Sequence, residues 1–106
     1  MKSFSLRKRE FKVERKVVVG LEDYLQLLSS KGFQFGEDAI GFIYFGKQYT
    51  NASDELARTA LELTLKAQKT FDGSFYISLL ELLMSNQITS RNEAIKFIKE
   101  HNILAV

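Results

Sequence analysis

The chain has no cysteine and no proline, and histidine occurs once, as His101. Without cysteine, neither a disulfide framework nor a thiolate metal site is available, and one imidazole cannot supply the histidine pair of a zinc site. No cofactor or metal is therefore expected. The lack of proline removes a common marker of turns, so glycine and capping residues must punctuate the chain. Long apolar runs are also missing. The longest, residues 40–45, is six residues and includes Gly41, far short of the roughly 20 that cross a bilayer. The N-terminal stretch lacks the apolar block of a secretory signal, and Glu10 and Glu14 do not suit a transit peptide. These absences predict a soluble cytoplasmic protein with no membrane partner.

What is present begins with an uneven charge distribution. The net charge of +2 hides a basic segment over residues 1–16 that carries Lys2, Arg7, Lys8, Arg9, Lys12, Arg15 and Lys16 against only Glu10 and Glu14. The remaining ninety residues hold eight cations and eleven carboxylates. Such asymmetry points to an acidic or phosphate-bearing partner. At 106 residues the chain fits a single domain, 1–106. Leu, Ile, Val and Phe make up about a third of it, enough for a core.

Periodicity divides the chain into two styles. Phe11, Val13, Val17 and Val19 alternate with Lys12, Glu14 and Lys16, which predicts a strand near 11–19 with one wet face. Phe4 and Leu6 share the alternation, so a hairpin with residues 3–7 extends this reading. A short helix near 21–31 follows, with Leu21, Tyr24, Leu25 and Leu28 on one side and Gly32 to close it. The aromatic stretch from Phe33 to Tyr49 reads most simply as short strands near 33–36 and 40–46. A helix starting at Glu37 is the competing reading, because short apolar runs fit either period.

After that stretch the period becomes helical. Ser53, Asp54 and Glu55 open a helix near 53–70, with i,i+4 pairs Asp54–Arg58 and Glu62–Lys66. Asp72 and Gly73 break the chain before a helix near 74–85, the most apolar segment and the expected centre of the core. Ser90 and Glu93 form a capping box that starts a last helix near 90–101. The predicted fold class is α+β: an N-terminal β element with one short helix, then three helices.

Four motifs bear on function. Gly41, Gly46 and Lys47 match the phosphate-loop pattern up to its last position, where Gln48 stands in place of the magnesium-binding hydroxyl. The bulky apolar residues between the glycines fit a glycine-flanked strand instead. Lys31-Gly32-Phe33-Gln34-Phe35 resembles the start of the RNP1 motif of RNA-recognition and cold-shock domains, and Val17-Val18-Val19-Gly20-Leu21 faintly resembles RNP2. That resemblance implies aromatics stacking on bases. Gln34, Gly36 and Asp38 depart from the motif, and the spacing is too short for the intervening helix and strand. It leaves Phe33, Phe35, Tyr44 and Tyr49 as candidate stacking residues near the basic segment. Thr89-Ser90-Arg91-Asn92-Glu93-Ala94-Ile95-Lys96 resembles the start of the second helix in ribbon-helix-helix repressors. A capping box accounts for the same residues, and the best strand lies far upstream. His101, in a last helical turn, suits capping or packing against Phe97.

The carboxylate pairs Glu22-Asp23, Glu37-Asp38 and Asp54-Glu55 fall at helix starts or turns, where the helix dipole explains them. No nucleophile elbow, metalloprotease motif or calcium loop is present. The expectation is a small non-enzymatic regulatory or adaptor protein that binds another macromolecule, with a protein as the leading partner. The alternative is a nucleic-acid-binding module whose Arg7, Lys8, Arg9, Lys12, Arg15 and Lys16 contact phosphates. Self-association through the N-terminal strand edge or the apolar residues 103–106 is a further expectation.

Overall fold

Five times between residues 20 and 103, the part described by the computed structural model, the chain meets conditions that start a helix. These helices are α1 Leu21–Ser30, α2 Glu37–Thr50, α3 Asp54–Gln68, α4 Gly73–Ser85 and α5 Arg91–Glu100. Three begin with a side-chain cap. Ser53 Oγ accepts from the Leu56 amide, Asp72 Oδ1 from the Phe75 amide and Ser90 Oγ from the Glu93 amide, each at 3.1 Å. Such caps satisfy amides that the helix leaves without partners, at about 1 kcal/mol each. Glu93 reaches back past the cap to the amide of Thr89 at 2.8 Å and its hydroxyl at 3.0 Å.

Among the described residues there is no strand, so the α+β expectation is corrected to an all-helical fold. Residues 33–36 form an irregular connection that ends at Gly36, the N-cap of α2, and residues 40–46 lie inside α2. Local chemistry supports a helix there: Glu37 and Asp38 occupy its first turn, Lys47 its last, and Asn51 closes it in the left-handed conformation at φ 61°. The strand near 11–19, the hairpin with 3–7 and residues 104–106 lie outside the described residues.

One apolar core joins all five helices. Its hub is α3, which packs on each of the other four, so the centre is not the most apolar helix, α4. The face α3 presents to its neighbours includes Leu56, Ala57, Ala60, Leu61, Leu63 and Leu65, all buried. Each fully buried leucine contributes about 2 kcal/mol in lost apolar hydration. Thr59 and Thr64 are buried as well, and each hydroxyl donates to a carbonyl one turn back, at 2.8 and 2.7 Å. Helix α4 packs on α2 and α3 and buries Tyr76, Leu79, Leu80 and Leu83.

Carboxylates of α3 fasten the helices that surround it. Asp54 accepts the Leu21 amide at 3.1 Å, which caps α1 from outside, and pairs with Lys47 of α2 at 3.3 Å. Glu55 accepts the Arg91 amide at 2.8 Å, which caps α5. Glu62 takes the Arg91 guanidinium through two bonds, Nε at 2.9 Å and Nη2 at 2.7 Å. The expected Glu62–Lys66 pair forms at 3.5 Å, while Asp54 turns to Lys47. Asp54 and Glu55 thus serve neighbouring helices as well as the dipole of their own.

Candidate functional site

Helices α2 and α4 approach so closely that each places a glycine under an aromatic ring of the other. A Cβ built on Gly46 would stand 2.7 Å from Cε2 of Tyr76, and one built on Gly73 would stand 2.9 Å from Cε2 of Phe42. At both points an added methyl group would meet the ring closer than carbon atoms normally approach, so the ring or the helix would have to shift. The Tyr76 hydroxyl donates to the Ile43 carbonyl at 2.6 Å, and burial pushes its phenol well above the ordinary tyrosine range.

From Tyr76 a line of touching rings climbs to the surface. Phe71 lies 5.7 Å from Tyr76, and Phe42 and Phe35 each lie 6.4 Å from Phe71. Phe42 then meets Phe45 at 5.8 Å, and Phe45 stacks on Tyr49 at 5.6 Å with 19° between the planes. Exposure rises along the line, from 0% at Tyr76 to 51% at Phe45 and 64% at Tyr49. Phe45 and Tyr49 are one helical turn apart, which brings side chains of α2 together on one flank. A shallow groove lies beside them, lined by Tyr49, Thr50, Glu81, Met84 and Ser85. A stacked aromatic pair beside a methionine gives an adaptable apolar contact, with a carboxylate at its edge.

The four aromatics singled out in the sequence do not share one platform. Phe35 and Tyr49 belong to the line of rings, joined through Phe71, Phe42 and Phe45. Tyr44 lines a groove between α1 and α2 with Leu25 and Ile40. Phe33, 40% exposed, borders a hollow formed with Tyr24, Leu28 and Leu65. Arg7, Lys8, Arg9, Lys12, Arg15 and Lys16 lie outside the described residues. Phe45, Phe42 and Phe71 are not among the residues that the sequence singles out. Read as a helix, residues 37–50 would have placed Phe45 next to Tyr49, and that is the signal that finds the pair.

Several titratable groups of the described residues join helices or pack on neighbours. Hydrogen bonding to Arg91 keeps the Glu62 carboxyl below its ordinary range, and the Leu21 amide does the same for Asp54. Tyr24 is raised by burial and by the nearby Glu62 charge. His101 packs on Phe97 with ring centres 4.3 Å apart. Among the described residues no group of three or more His, Asp or Glu side chains could hold a metal ion. No helix among them is long and apolar enough to cross a membrane. Ile103 lines an apolar groove on α4 with Phe75, Leu79 and Leu82.

Residues 6–104 match the family of unknown function DUF6123, and the chain belongs to that family. No curated protein and no solved structure matches it.

Proposed function

We propose that this member of the family is a small cytoplasmic regulatory or adaptor protein that acts by binding another protein, and that the aromatic flank of α2 is its contact surface. The observation that carries this reading is the stacked pair of Phe45 and Tyr49, 51% and 64% exposed, at the end of a line of rings rooted in the core. Large aromatic side chains held rigidly at a surface supply much of the binding energy of protein interfaces. Phe42, itself packed on Phe71, holds Phe45 from below, so little side-chain freedom is lost when a partner covers it. Among the described residues, Asp54, Glu55 and Glu62 are engaged in joining helices, which favours a binding role over acid–base chemistry.

The test is a photoreactive benzoylphenylalanine placed at Tyr49 in the native cell. A discrete protein adduct is expected, and Phe45→Ala should reduce it by on the order of tenfold or more. The same label at exposed Gln68 should not give that adduct. Equal labelling from both positions, or an adduct indifferent to Phe45→Ala, overturns the assignment.

A further inference from the structure

The two glycines inside α2 have different surroundings. Gly46 is explained by the Tyr76 ring pressed against it, whereas nothing lies within 4 Å of a Cβ built on Gly41. Gly41 is exposed and in mid-helix, where glycine costs about 0.5–1 kcal/mol relative to alanine. No contact among the described residues offsets that cost, so the open space above Gly41 needs another explanation.

The neighbours of Gly41 on the outer side of α2 supply one. One turn before it stand Glu37 and Asp38, and one turn after it stands the exposed Phe45, followed by Gln48 and Tyr49. Along the axis the face therefore runs from carboxylates to a bare backbone, then to a large ring and finally to hydrogen-bond donors. That order is complementary to its own reverse. When two α2 helices run antiparallel about a two-fold axis between positions 41 and 45, each Phe45 enters the space above the other copy's Gly41. In the same register Asp38 lies beside Tyr49 and Glu37 beside Gln48, so carboxylates that only accept lie against a hydroxyl and an amide that donate. The positive end of each helix dipole also meets the negative end of the other. A two-fold interface requires this property, with residue i meeting j and j meeting i.

We infer that the partner of the α2 face is a second copy of this chain, docked antiparallel with Phe45 seated over Gly41. The inference rests on the reading of α2 as a protein-binding surface and names its occupant. A single helix face lies at the small end of specific interfaces, so the dimer forms in a concentration-dependent equilibrium. Gly41 keeps the two backbones near the close limit of helix packing, about 8 Å between axes.

Sedimentation equilibrium of the full chain tests this. The wild type is expected to dimerise with concentration, and Gly41→Leu to weaken the dimer by on the order of tenfold or more. Its thermal midpoint, measured where the chain is monomeric, should not fall, because the added side chain enters open space. Cysteine placement gives a second readout, since the native chain has none. A mixture of Glu37→Cys and Gln48→Cys proteins should form mixed disulfides faster than either forms its own. A chain that stays monomeric at its highest soluble concentration overturns the inference, as does a dimer that tolerates Gly41→Leu. In those cases a Phe45-dependent adduct from Tyr49 containing a different protein leaves the binding surface standing with another occupant. An adduct indifferent to Phe45→Ala removes both.

Discussion

Two seams hold the helices together by opposite means. Between α2 and α4, glycines lie against rings, and the buried Tyr76 hydroxyl reaches the Ile43 carbonyl. Between α3 and α5, Glu62 grips Arg91 through two charge-assisted bonds while Glu55 caps the amide of the same residue. The first seam depends on shape and tolerates no added volume. The second depends on charge and is partly open to water, with the Arg91 side chain 42% exposed. Close packing and ion pairing thus serve the same end at different cost: one fails by overpacking, the other by protonation.

The largest effect should come from breaking the packed seam. Gly46→Ala puts a methyl group into the Tyr76 ring and is expected to lower unfolding stability by about 2–3 kcal/mol in urea titrations. A loss below half a kilocalorie would mean that α2 and α4 slide apart easily.

A middle-sized effect separates the seams by pH. Glu62 ionises more readily folded than unfolded, so its contribution is complete above the ordinary glutamate value of 4.5 and is lost as pH falls through the lower folded value. Tyr76 holds its proton more tightly when folded. Its contribution is complete below the ordinary tyrosine value of 10.0 and is lost as pH rises through the higher folded value. Glu62→Gln should therefore flatten the acid limb of the stability profile, and Tyr76→Phe the alkaline limb. Each should also cost about 1 kcal/mol near neutrality. If either variant flattened both limbs, the two seams would not be independent.

The smallest effect contrasts the two glycines of α2. Gly41→Ala should raise the stability of the monomer by about 0.5–1 kcal/mol, opposite in sign to the change at Gly46. A destabilised Gly41→Ala monomer would show that the space above residue 41 is needed within a single chain.

Legibility along the sequence followed how local the deciding interaction is. Helix α3 was legible because Ser53, Asp54 and the apolar residues that follow all lie within its own span. Helix α5 was legible from Ser90 and Glu93 for the same reason. Helix α2 is hard to tell from a strand because its aromatic and β-branched run suits both, and its contact with Tyr76, 33 residues beyond Ile43, is invisible in the sequence. The core's centre was misplaced on similar grounds. Helix α4 is richer in apolar residues, but α3 is the helix with neighbours on every side. In the candidate site, Tyr49 and Phe35 were visible as aromatics, but alternation along a strand hid the pairing of Tyr49 with Phe45. Glu55 and Glu62 looked like ordinary residues of α3, because Arg91 lies 36 and 29 residues away from them.

The line of rings from Tyr49 to Tyr76 also makes the protein's interior a witness to its exterior. Each ring of the line packs on the next, so a body resting on Phe45 bears on Phe42 and Phe71 and, through them, on the ring against Gly46. The flipping rate of the buried Tyr76 ring is therefore expected to change when that surface is covered, although the ring never touches it.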